Sequence, residues 1–181
     1  MPQKFKDALI PALGLLLMAA LSAAIYLLRD QTEQLAAWGY PGIFALSILS
    51  NATIILPAPA IALVFTLGSV LNPFAVGTIA GIGSGIGELS GYLAGKSGSG
   101  LVTKTETYKK IHPFVDKYGV VAIFILAIIP NPFFDVAGIA AGALRMPVRR
   151  FFLWCTAGKI IKMLLIAFGG AQSIPWLMGA K

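Results

Sequence analysis

Four ionisable side chains stand inside otherwise apolar stretches: Glu88, Asp135, Lys159 and Lys162. Such groups are expensive in a low-dielectric medium, so they face a protein interior or a wet cavity and find partners there. Two carboxylates and two ammonium groups admit two kinds of chemistry. They could neutralise one another and fasten helices together. Alternatively, protonation of Glu88 or Asp135, or release of a lysine, could be coupled to the passage of a solute. Lys159 and Lys162 would then attract an anionic group, with Glu88 and Asp135 balancing or gating them. The two lysines are three residues apart, which places them on one side of a helix one turn apart. Asn51, Thr53 and Asn131 stand close in sequence to breaks in the apolar runs, where they could contact a ligand or satisfy broken backbone.

Other chemistries lack their residues. No Ser-His-Asp, Cys-His or HExxH arrangement is present, and the chain has one histidine, His112, and one cysteine, Cys155. A disulfide within the chain is therefore impossible, and a metal site of the usual ligands is not expected. We expect no catalytic residues, no cofactor and no enzyme activity. The glycines from Gly81 to Gly95 do not form a phosphate loop; recurring glycine in a membrane helix serves close packing.

The elements that position these residues belong to a bilayer. The chain is 57% hydrophobic and 12% charged, with mean hydropathy +0.84, whereas soluble domains are about a quarter charged. The net charge of +7 does not point to nucleic acid. Its basic residues lie mostly between apolar runs, where anionic lipid and membrane orientation account for them.

Residues 1–34 contain the first run, Ala8 to Leu28. Its 21 residues reach about 31 Å as a helix, enough to span the hydrocarbon core. The h-region of a cleaved signal peptide is shorter, about 7–15 residues, which favours a retained helix. Residues 35–95 hold a second run, Gly42 to Leu71, broken at Leu56-Pro57-Ala58-Pro59. It is too long for one crossing and too short for two with a turn, and the prolines disfavour a continuous helix. The economical form is a re-entrant hairpin turning at Pro57 and Pro59, followed by a glycine-rich span from Asn72-Pro73 to Gly95; a kinked single span is the alternative. Residues 96–117 are a polar linker. Residues 118–172 repeat the pattern, with a run broken at Pro130-Asn131-Pro132 and a span from Phe151 to Ala171; residues 173–181 are a short tail.

The halves look like copies: Gly68, Pro73 and Gly95 correspond to Gly142, Pro147 and Gly169, each 74 positions later. A unit of one hairpin and one crossing inverts its successor. The expectation is an all-α integral membrane protein with three transmembrane helices and two re-entrant hairpins in inverted repeats, an arrangement that places a substrate site where the repeats meet. Residues 1–7, 96–117 and 145–150 then share one face and carry ten of the fourteen Lys and Arg. By the positive-inside rule that face, with the N-terminus, is cytoplasmic, in a plasma or inner membrane. Counted from this face, Glu88 and Lys159 lie at matching depth. After Pro59 and Pro132 each outgoing half-helix points its N-terminus, which favours anions, toward the midplane.

Across about residues 38–172 the chain resembles the VTT-domain family, also called DedA or SNARE-associated Golgi proteins. The resemblance is carried by the hairpin around Leu56-Pro57, by Gly87-Glu88-Leu89-Ser90-Gly91-Tyr92-Leu93-Ala94-Gly95, and by Ala141-Gly142-Ala143-Leu144-Arg145-Met146 followed by Phe151-Phe152. It implies re-entrant hairpins in inverted repeats and movement of lipids between leaflets. Bacterial members are linked to polyprenyl-phosphate recycling and proton-driven transport, and eukaryotic relatives scramble phospholipids. This sequence differs from the bacterial pattern at both hairpins. The first reads Ser50-Asn51-Ala52-Thr53 and Pro57-Ala58-Pro59-Ala60, without an acid. The second lacks an arginine pair and reads Pro130-Asn131-Pro132-Phe133-Phe134-Asp135.

The expected function is a lipid translocase or scramblase acting on phospholipid or polyprenyl-phosphate headgroups, with anionic membrane lipids as partners. A proton-coupled small-solute or ion transporter is the alternative. For a third class, a scaffold that transports nothing, Glu88→Gln and Lys162→Gln would impair folding alone. The glycine-rich face of residues 77–95 leaves open internal packing or contact within a homo-oligomer.

Overall fold

The computed structural model of the chain describes residues 32–52, 57–97, 106–130 and 134–177. The first apolar run and the tip residues Thr53, Asn131 and Pro132 lie outside them. Eight helices make up the described part: α1 (Thr32–Ala52), α2 (Pro57–Val70), α3 (Pro73–Gly87), α4 (Leu89–Lys96), α5 (Glu106–Tyr118), α6 (Val120–Ile128), α7 (Phe134–Ala143) and α8 (Val148–Leu177).

Local chemistry sets their ends. Asn72 caps α3 with its side-chain oxygen, accepting from the N–H groups of Phe74 at 2.9 Å and Ala75 at 3.2 Å. Pro73, at the first helical position, gives up no hydrogen bond there. Pro57 opens α2 in the same way, so the outgoing half-helix starts before Pro59 rather than after it. α3 and α4 are separated only by Glu88, whose backbone stays right-handed helical. The bonds from Glu88 N–H to Ser84 O and from Tyr92 N–H to Glu88 O carry the ladder across. Residues 73–96 are thus one rod of about 36 Å. Among the described residues one helix, α8 over Val148–Ser173, is long and apolar enough by itself to cross a membrane.

α1 and α2 form an antiparallel pair, its outer end fixed where Gly39 lies against Leu71 and Leu67. α6 and α7 form another, with Val120 and Leu144 in one cavity wall at its outer end. Glycine lets the helices meet backbone to backbone. A Cβ on Gly77, Gly81 or Gly85 would strike Leu164, Ile160 or Thr156 respectively, so α3 and α8 run antiparallel with contacts every four residues on both. The opposite side of α3 carries Gly83 and Gly87, which press on the carbonyls of Phe44 and Ile48 in α1.

These contacts are exchanged between the halves. Gly95 in α4 meets the backbone of Ile139 in α7, and Gly170 in α8 meets the backbone of Phe65 in α2. Gly142 packs on Tyr92, and Gly68 on Ala167. Each pair of short helices therefore lodges its second arm on the long rod of the other half. The glycines at 77, 81, 83, 85, 87 and 95 are occupied by this internal packing.

Two apolar clusters result. One gathers Tyr92, Ile123, Ala137, Phe151 and Cys155; the other gathers Ile43, Val64, Leu67, Val76 and Met163. The linker expected at residues 96–117 carries α5. Its Val115 is buried, with Tyr108, Ile111 and Phe114 packed on the first cluster, while Lys109, Lys110 and Lys117 are exposed.

Gly81→Ala should push α3 from α8 and destabilise the fold by about 1–3 kcal/mol. Gly42→Ala, where an added Cβ meets nothing within 4 Å, should be neutral or stabilising by up to about 1 kcal/mol. Thermal unfolding of the two purified variants checks the contrast.

Candidate functional site

Along the α3–α4 rod Glu88 lies between Ala80 of one apolar cluster and Tyr92 of the other. Along α8 Lys159 lies between Cys155 and Met163. Both are almost wholly removed from the surface, at 1% and 2% exposure. A lone charge so placed would be untenable, and the two form an ion pair, Lys159 Nζ to Glu88 Oε1.

The pair is enclosed by the ends of both hairpins. Lys159 Nζ also donates to Asn51 Oδ1 at 2.8 Å. The Asn51 amide in turn donates to Ser47 O at 2.9 Å and Ser84 Oγ at 3.2 Å, so both of its N–H donors and its oxygen are engaged. From the second hairpin, the Phe134 ring lies with its centroid 4.4 Å from the Lys159 ammonium, a cation–π contact strengthened by the burial of both groups. The Glu88 carboxylate lies against Gly138 of α7. Ser90 ties the end of α1 to the rod, its one hydroxyl proton shared between Ala52 O at 3.1 Å and Gly87 O at 2.9 Å. Lys159 thus holds α1, the α3–α4 junction, α7 and α8 at one point.

Beside the pair is a cavity of about 180 Å³, lined by Asn51, Ala52, Glu88, Ser90, Gly91, Ala94, Asp135 and Ile139. Asp135 stands in its wall, within electrostatic range of Lys159 and Lys162. Lys162, one turn along α8, is also buried. Neither Asp135 nor Lys162 has an ion pair with a described residue.

The four charges expected as one neutral cluster therefore divide. Glu88 and Lys159 are a closed pair, and Asp135 and Lys162 are the remaining acid and base. Glu88 and Lys159, level with each other by counting along the sequence, are in contact, and Asn51 reaches the same ammonium. Asn131 and Pro132 lie outside the described residues, Pro57 and Pro59 form the first turn of α2, and Pro130 is exposed after α6. Phe134, Ser84 and Ser90 were not singled out. Phe134 adjoins Asp135 and Ser90 lies two residues from Glu88, but an aromatic beneath a lysine 25 positions later has no local signature.

The surface inverts the order of a soluble protein. Glu88, Lys159 and Lys162 are buried, while Leu49, Phe74, Leu93, Val121, Leu153, Leu165 and Phe168 are exposed on the outside, as suits a surface that meets lipid. Fold and surface together define a helical membrane protein with a polar centre. A family model of the VTT domain matches residues 57–172, and the chain belongs to that family, whose members are membrane proteins linked to transport or lipid handling. No solved structure matches the chain.

Asn51→Leu removes a partner from Lys159 and from Ser84, and should cost about 1–3 kcal/mol. Asp135→Asn, at a cavity carboxylate with no ion pair among the described residues, should stay within about 0.5 kcal/mol of the parent. Unfolding midpoints in detergent measure both.

Proposed function

We propose that this chain moves anionic lipid headgroups between leaflets through the polar centre where its two hairpins meet. The observation that carries this reading is the convergence of both hairpin ends on one buried ion pair beside a cavity whose wall includes Asn51, Glu88, Ser90 and Asp135. In the bilayer, the α3–α4 rod and α8 cross, and the run Ala8 to Leu28, outside the described residues, has the length for a third crossing. The α1–α2 and α6–α7 pairs enter from opposite faces and return, as inverted repeats. Lys96, Lys110, Lys117, Arg145, Arg149 and Arg150 then share the cytoplasmic face.

The geometry supports a different division of labour from four equivalent charges. Glu88 and Lys159 hold the frame in which the tips meet. Lys162 is the cation left to attract a phosphate, and Asp135 is the acid that balances it when no headgroup is present. The family's link to transport or lipid handling supports this class of substrate. The partners are membrane lipids with anionic headgroups, and the process needs no catalytic residue and no cofactor.

A second reading, proton-coupled transport of a small solute, is favoured by the two carboxylates, Glu88 and Asp135, in the cavity wall. It requires a substrate-dependent current or pH change, which passive exchange of lipid does not give.

Fluorescent phospholipid in proteoliposomes distinguishes these readings. Folded protein should expose inner-leaflet label faster than empty liposomes, and Lys162→Gln and Asp135→Asn should each slow this by about tenfold. Parent activity equal to that of empty liposomes would sink the lipid reading.

A further inference from the structure

A second cavity lies at the basic end of the molecule, away from the hairpin tips. It has a volume of about 480 Å³ and opens between the α5–α6 turn and the α7–α8 turn. Both turns contain left-handed backbone, Gly119 at φ +54° and Arg145 at φ +55°. Glycine is the expected residue at the first. At the second, Arg145 N–H bonds to Gly142 O and Met146 N–H to Ala141 O, the helix-ending pattern whose left-handed position normally selects glycine. An arginine is kept there against the preference of its backbone, and residues so held cluster at functional positions.

The charges around the opening are unbalanced. Lys117 and Arg150 line it, Arg145 and Arg149 flank it in sequence, and Asp116 is the carboxylate among the lining residues. None of the three arginines has an ion pair with a described residue. Lys117 rests over the Tyr118 ring, 5.0 Å from its centroid. The floor is apolar, made by Val115, Val120, Leu144 and Met146. A cationic rim over an apolar floor complements a molecule with an anionic head and an apolar body.

We propose that this cavity is a docking site for an amphiphile whose phosphate head carries a net negative charge, with Arg150 and Lys117 holding the phosphate and the apolar part lying on Val120, Leu144 and Met146. The site is separate from the polar centre between the tips, and its occupancy does not depend on lipid being translocated.

Native mass spectrometry of the full chain, released from neutral detergent with added phosphatidylglycerol or phosphatidylcholine, tests it. Phosphatidylglycerol should be retained preferentially, and K117Q/R150Q should weaken its retention by about tenfold or more. Pro147→Glu, which brings a carboxylate to the exposed rim, should give the same loss by another route. K109Q/K110Q removes equal charge from the exposed face of α5, outside the cavity, and should leave retention unchanged. Equal retention of the two lipids, or equal loss in K109Q/K110Q, would overturn the proposal. Complete displacement of phosphatidylglycerol by millimolar inorganic phosphate would also overturn it, by showing a site for free phosphate.

Discussion

A lysine cannot remain charged at the centre of this molecule unless a carboxylate meets it, and the architecture is arranged around that requirement. Removing two charges from water costs several kcal/mol per ion, and their attraction offsets this only when the remaining polar valences are also filled. Lys159 meets the condition with Glu88, the Asn51 amide and the Phe134 ring. Because these partners come to α8 from α1, the α3–α4 junction and α7, satisfying one ammonium fixes the relation of both halves. The pair is better understood as the device that selects this arrangement of helices than as a source of net stability.

Bringing those helices close enough is the task of glycine. Lipid offers little hydrophobic drive for one helix to leave it for another, so close backbone approach and its dispersion energy matter more. Gly77, Gly81 and Gly85 seat α3 on α8, while Gly68, Gly95, Gly142 and Gly170 seat each hairpin on the opposite half. The exchange gives neither half a complete core by itself. It also leaves the two carboxylates of the inner cavity in a gap between rigid elements.

Much of this was legible in the sequence because membrane constraints are severe. Asn72-Pro73 announces a helix start, paired prolines mark the broken runs, and counting residues from the polar boundaries brings Glu88 level with Lys159. The α5 helix was legible in principle, since Tyr108, Ile111 and Val115 recur at helical spacing, but its lysines made residues 96–117 read as a linker. The division of four charges into a closed pair and an open remainder was not legible. It depends on the reach of the Lys159 side chain and on Phe134 and Asn51 arriving from distant segments. The left-handed Arg145 was equally hidden, because sequence predicts glycine, not arginine, in that conformation.

The central claim is that Glu88 and Lys159 act as one unit, and a double-mutant cycle on unfolding free energy in bilayer-like micelles tests it most directly. Glu88→Leu and Lys159→Met should each destabilise by about 3–5 kcal/mol, since each strands a buried charge. The double variant should be more stable than either single variant, giving a large coupling between the two sites. Additive losses would show that the two residues act independently and would contradict the account.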